Sequence, residues 1–205
     1  MESLDGVLIE GVDYVGKTTV ALRLAELIRQ DGREVSVGRC YVDRTPLIEF
    51  LEREAQKSAD MIVRDHYYTA ALISDIAAAV QPSDYRVQDR HWLTQLGRNM
   101  FFHTGEQVFP ARYFSEAHRP FARNVLLTSS ASAKADRAAS RPAKSPRDQY
   151  LLARPDLHQK YEAFLQTLVP AEEDWLILDT TELSVDEVAR EIHAYCLADS
   201  SVVAL

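Results

Sequence analysis

Apolar residues along the chain fall into two spacings that alternate. Short runs suited to buried strands occur at 7–9 (VLI), 33–39 (REVSVGR), 85–90 (YRVQDR), 123–129 (RNVLLTS) and 174–179 (DWLILD). Between them the spacing becomes that of a helix face: Val20, Leu24, Leu27 and Ile28 sit at i, i+4, i+7 and i+8 ahead of an Asp31-Gly32 stop. Further helical patterns lie at 47–56, 68–80 and 156–169, and Ser184 with Glu187 makes a capping box for a last helix carrying Val188, Ile192 and Tyr195. This order predicts one α/β domain over residues 1–205, a five-stranded parallel sheet with helices on both faces. One stretch departs from the pattern. Residues 129–150 are rich in Ser, Ala, Lys and Arg and nearly devoid of large apolar groups, so they are predicted to stay out of the core. Arg137, Arg141, Lys144 and Arg147 suit that stretch to a basic lid that closes over an anion and excludes water.

The turn between the first strand and the first helix carries the candidate chemistry. Gly11 to Thr18 fits the spacing G-x-x-x-x-G-K-[ST]. With a strand feeding it and a helix leaving it, the loop's N–H groups and the positive end of the helix dipole favour an anion at one spot. Lys17 adds a mobile positive charge there, and the Thr18 hydroxyl can take a place on Mg²⁺. Asp89 and Arg90 leave the third strand at its C-terminal end, where ligands bind in open α/β sheets. A carboxylate at that point can hold Mg²⁺ and the arginine can grip a phosphoryl group.

Composition narrows the partners. Hydrophobic residues make up 46% and charged residues 26%, and no apolar run is long enough to span a membrane. The N-terminal segment lacks the pattern of a secretory signal, so a cytoplasmic protein is expected. Two cysteines, Cys40 and Cys196, argue against a disulfide framework or a zinc site. A net charge of −8 argues against wrapping a long nucleic acid, which leaves any anion to a local basic cluster.

In order along nearly the whole chain, these segments resemble thymidylate kinases and the neighbouring nucleoside monophosphate and deoxynucleoside kinases. EGVDYVGKTT is similar to the family's E-G-x-D-G-x-G-K-[ST]-T, GRCYVDRTPLIEFL to its arginine-bearing second strand end, VQDRHWLT to its D-R-Y-x-x-S, and ADRAASRPAKSPRDQY to its arginine-rich lid. The resemblance implies a three-layer P-loop kinase fold, ATP and Mg²⁺ as cofactors, transfer of a phosphoryl group to a nucleoside monophosphate or close analogue, and a homodimer. It places the donor phosphates on Gly11, Val12, Asp13, Tyr14, Val15, Gly16, Lys17, Thr18 and Thr19, and gives Asp13 a catalytic role. It sets Thr18 and Asp89 at the metal and Arg39 and Arg90 at the acceptor phosphate. Tyr14 and Val15 leave the phosphate loop without the family's transition-state arginine, so Arg141 or Arg147 is expected to supply it from the lid.

The acceptor positions depart from the family. Asp75 is kept but Ile76 stands where the family has arginine; His91 replaces tyrosine, Thr94 serine, and Gly97, Arg98 and Asn99 replace A-Y-Q. Asp75, His91, Thr94, Arg98 and Asn99 are therefore the expected acceptor contacts, with two orientations open for Arg98: toward the acceptor, or outward in a surface ion pair. Phosphoryl transfer is better supported than specificity for thymidylate. DRH at 89–91 also resembles a nucleoside-binding motif of herpesvirus thymidine kinases. Two alternatives follow: a nucleoside or specialised small-molecule kinase on the same scaffold, and a nucleotide-binding regulatory protein that has lost efficient transfer.

Overall fold

The computed structural model describes residues 3–78, 84–102, 117–118, 120–140, 149–150, 152–171 and 173–198. Five strands appear where the short apolar runs predict them: β1 (Leu4–Glu10), β2 (Val35–Arg39), β3 (Tyr85–Asp89), β4 (Phe121–Thr128) and β5 (Trp175–Asp179). They pair in the order β2-β3-β1-β4-β5, and every pairing is parallel. The described helices are α1 (Lys17–Gln30), α2 (Pro46–Lys57), α3 (Met61–Ala78), α4 (Trp92–Phe102), α5 (Ala131–Ala139), α6 (Pro155–Thr167) and α7 (Val185–Leu197).

Alternate strand residues feed two cores, one on each face of the sheet. Val7, Ile9, Val87, Val125 and Leu127 meet Val20, Leu24 and Ile28 of α1, Val188 and Ile192 of α7, and Tyr161 and Leu165 of α6. Leu4, Leu8 and Leu126 meet Ile48 of α2, Ala71 and Leu72 of α3, and Trp92, Leu93 and Leu96 of α4. The period of two along each strand thus makes a three-layer α/β sandwich. Helix ends follow local chemistry. Thr45 caps α2 ahead of Pro46, the capping box at Ser184 and Glu187 opens α7, and Gly32 turns the chain after α1 with φ +83°.

Two elements differ from the sequence reading. α3 begins at Met61, one and a half to two turns before the predicted start, because Asp60 accepts from the amides of Ile62 and Val63 and opens the helix early. The stretch at 129–150 is not wholly outside the core. Ser130 accepts from the Ala133 amide to start α5, and Lys134 and Ala138 are buried. Lys134 enters the interior because its ammonium donates to Glu162 Oε2 of α6 at 2.8 Å, while the Ser129 amide donates to Glu162 Oε1. Arg137 also lies in α5, whereas Arg141, Lys144 and Arg147 lie outside the described residues.

Candidate active site

The β1–α1 loop has the shape of an anion cradle. Gly11 has φ +139°, and a Cβ on it would stand 2.4 Å from the Leu127 carbonyl oxygen of β4, so only glycine fits there. Gly16 precedes α1 at φ +99°; no side chain caps the helix and no acidic residue sits in its first turn. The first amides of α1 are thereby left for a ligand. Lys17 is not the mobile charge of the sequence reading. It is buried, and its Nζ donates to the Val12 carbonyl at 2.5 Å. Burial, helped by the nearby Arg90 charge, lowers its pKa to about 8, against the pull of Asp13, Asp89 and Glu10.

Neighbouring strands bring the second motif to this loop. β3 lies in register with β1, Ile9 opposite Asp89, so both strands end at the same edge. Thr18 Oγ1 donates to Asp89 Oδ2, and Asp89 Oδ1 is buried without a hydrogen-bond partner among the described residues. An orphaned buried carboxylate oxygen beside a hydroxyl is a hard-oxygen set that fits Mg²⁺. Arg90 donates to Asp13 across the loop mouth, while its Nε has no partner among the described residues. Burial disfavours the Arg90 charge, but Asp13 and Asp89 more than offset this and hold its pKa above the ordinary value.

Beyond Asp13 and Arg90 opens a cleft of about 400 Å³, walled by residues after β1, β2 and β3 and by α2, α3 and α4. Arg39, Arg44, Arg90 and Arg98 give it a basic lining. Arg90 faces Asp13, Arg44 reaches Glu52 at 3.4 Å, and Arg98 donates to Asp65 with its guanidinium over the Tyr68 ring. Arg39 is exposed at the end of β2 with no acidic partner among the described residues. The two orientations weighed for Arg98 therefore merge: it is both in the cleft wall and in an ion pair. Ile76, in the place of the family arginine, packs on the core instead.

His91 and Thr94 line this cleft, and Asp75 and Asn99 do not. Asp75 accepts from the Val42 and Asp43 amides and from His91 Nε2, fastening the loop after β2. Arg86 and Gln88 of β3 support the same loop by donating to its Tyr41 carbonyl, which explains the polar third strand. Asn99 joins a network between α3 and α4, donating to Thr69 Oγ1 at 2.8 Å. Sequence reading missed Glu10. It is fully buried, and its carboxylate accepts from the His91 and Leu93 amides and the Thr94 hydroxyl, so it caps α4 from β1.

A second cavity of about 310 Å³ lies on the other side of the phosphate loop, lined by Tyr14 to Gly16, Arg137, Thr180 and the start of α7. Arg137 is a brace here. It donates to the Tyr14 carbonyl, Ser129 Oγ, Thr180 Oγ1 and the Thr180 carbonyl. Among the described residues, the non-glycine positions with φ near +65° are Tyr14, Cys40 and Arg90, and each borders one of the two cavities.

A five-stranded parallel sheet in this order, with a glycine-lysine-threonine loop at the end of β1, is the P-loop kinase fold. Among solved structures, a thymidylate kinase from Candida albicans superposes with a TM-score of 0.65 over 97% of this chain and 93% of that one, at 13% identity. No family model matches the chain. No curated protein matches it either.

Proposed function

We propose that the chain is an Mg-ATP-dependent phosphotransferase whose acceptor is a nucleoside monophosphate or a close analogue. The observation that carries this reading is the pairing of two unlike anion sites across Asp13 and Arg90. On one side stand the uncapped start of α1, Lys17 and the Thr18–Asp89 oxygen pair. On the other stands a basic cleft whose Arg39 has no acidic partner among the described residues. Residues 11–19 would hold the donor phosphates and Thr18 with Asp89 the magnesium, which supplies charge neutralisation on the transferring group when bound. Arg39 and Arg90 orient the acceptor phosphate, and Asp13 fixes Arg90 at the boundary between donor and acceptor. The lid arginines, Arg141 or Arg147, would supply the remaining transition-state charge. The same reading makes the protein a cytoplasmic homodimer.

With Ile76 in the core and Arg98 tied to Asp65, the charges at the far end of the cleft are rearranged relative to the family pattern, and dTMP is expected to be a poor acceptor. Coupled ATP-consumption assays across nucleosides and nucleoside monophosphates test the reading. Turnover is expected with at least one monophosphate, and Arg39→Ala should raise its KM about tenfold or more. Magnesium-dependent turnover with none of them overturns the proposal, and dTMP outperforming every other acceptor overturns the specificity.

A further inference from the structure

Two neighbouring strand ends turn the chain into the same unfavoured conformation. Arg39 pairs with Asp89 at the ends of β2 and β3, and the residues that follow them, Cys40 and Arg90, have φ +65° and +68°. A residue with a Cβ keeps that conformation only where its surroundings over-determine it. Two side chains of β3 supply those surroundings. Arg86 and Gln88 point to one face of the sheet, while Val87 between them enters the core on the other. Arg86 Nη2 donates to the Tyr41 and Val42 carbonyls at 3.3 and 3.2 Å, and Nη1 donates to Ser36 Oγ at 3.3 Å. Its Nε donates to Gln88 Oε1 at 3.1 Å, which leaves the Gln88 amide nitrogen to donate to the Tyr41 carbonyl at 3.3 Å and the Arg90 carbonyl at 2.9 Å. One guanidinium thus fixes carbonyls at or just after both turns. β2 is shaped to admit it: Gly38 lies opposite Gln88, and a Cβ on Gly38 would stand 1.9 Å from Arg86 Nη2.

We infer that Arg86 is a positioning residue for the acceptor phosphate, holding both left-handed turns so that Arg39 and Arg90 stand set for one anionic group. This inference rests on the proposed phosphotransfer reading for the identity of that group. Arg39, Cys40, Tyr41 and Arg90 line the cleft and Arg86 does not, so it acts through them and not on the ligand. Among the described residues, every bond it donates goes to a neutral group, and burial pulls its pKa below the ordinary value. What these acceptors require is a planar fork with donors in fixed directions, which a lysine ammonium cannot copy. The phosphate loop leaves β1, to which Arg86 donates no side-chain bond among the described residues, so the donor side should be spared.

The test uses the full chain, the common nucleoside monophosphate that it turns over best, and amide deuterium exchange at residues 40–43 without ligand. Arg86→Met should speed that exchange about tenfold or more, raise the monophosphate KM about tenfold or more, and leave the ATP KM within about twofold. Arg86→Lys, which keeps the charge but not the fork, should raise the monophosphate KM only about threefold. Gly38→Ala, which pushes the guanidinium aside without removing it, should reproduce the split between the two KM values seen with Arg86→Met. Where Arg86→Met fails to fold, Gly38→Ala and Arg86→Lys decide in its place. Unchanged exchange, an unchanged monophosphate KM, or an ATP KM raised as far as the monophosphate KM overturns the inference and leaves phosphotransfer standing. If no monophosphate is turned over, phosphotransfer falls and calorimetric binding of the same monophosphates replaces KM. Weaker binding with faster exchange in Arg86→Met then upholds the inference, and unchanged binding, or none to the parent, overturns it.

Discussion

Lys17 carries a burial cost at the start of α1. Its ammonium is buried against Val12, and its pKa falls from 10.5 to about 8. Below pH 8 both folded and unfolded chains hold the proton, and the fold bears the cost of burying it. Between pH 8 and 10.5 the unfolded chain binds more protons, so this residue makes stability rise with pH through that window. Without nucleotide, Lys17→Met should be more stable than the parent by roughly 1–3 kcal/mol at pH 7, the gap closing as pH passes 10.5. Urea unfolding of both proteins across pH measures it, and the variant should show no phosphoryl transfer. The gathering of Lys17, Asp89 and Arg90 at one edge of the sheet was legible because contiguous motifs set them just after β1 and at the end of β3. The place of Glu10 was not, since it is defined by partners on another element, as when it meets Thr94 across 84 positions of sequence.

Among the elements, α4 depends on a carboxylate that belongs to β1. Glu10 accepts three hydrogen bonds at its start, two on Oε1 and one on Oε2. Glu10→Gln keeps the shape but removes the charge from a helix N-terminus and sets an amide against Thr94; a loss of about 1–2 kcal/mol is expected. Because His91, Thr94, Gln95 and Arg98 all ride on or at the start of α4, the acceptor KM should rise more than the ATP KM. Equal changes in the two would separate α4 from the acceptor. α5 yields a second element-scale prediction. Lys134→Met should cost about 3 kcal/mol by stranding Glu162, and adding Glu162→Leu should recover much of that loss in a double-mutant cycle. The alanine-rich run after Ser130 carried a helix signal through its propensity and cap, but its shortage of large side chains read as solvation. Apolar periodicity cannot announce a helix held to its neighbour by a buried ion pair.

The whole molecule sets two cavities on either side of one loop, and ligand should couple them to stability. Mg-ATP at a hundred times its Kd is expected to raise unfolding free energy by about 2.7 kcal/mol, and Asp89→Asn should reduce this gain with magnesium more than without it. Thermal unfolding with and without chelator checks the difference. Architecture at this scale was readable from alternation alone, whereas which polar residues line the cleft was not, because Asp75 and Asn99 spend their hydrogen bonds on the protein itself. The fastening of the loop after β2 has a kinetic corollary. The Val42 and Asp43 amides, bound to the buried Asp75 carboxylate, should exchange with deuterium only when α3 detaches from the sheet, orders of magnitude more slowly than loop amides exposed to water. Asp75→Asn should speed exchange at both amides, and fast exchange in the parent would count against the fastening. One wall of the cleft then gives up its disorder once, as the chain folds, and not again with each molecule that arrives.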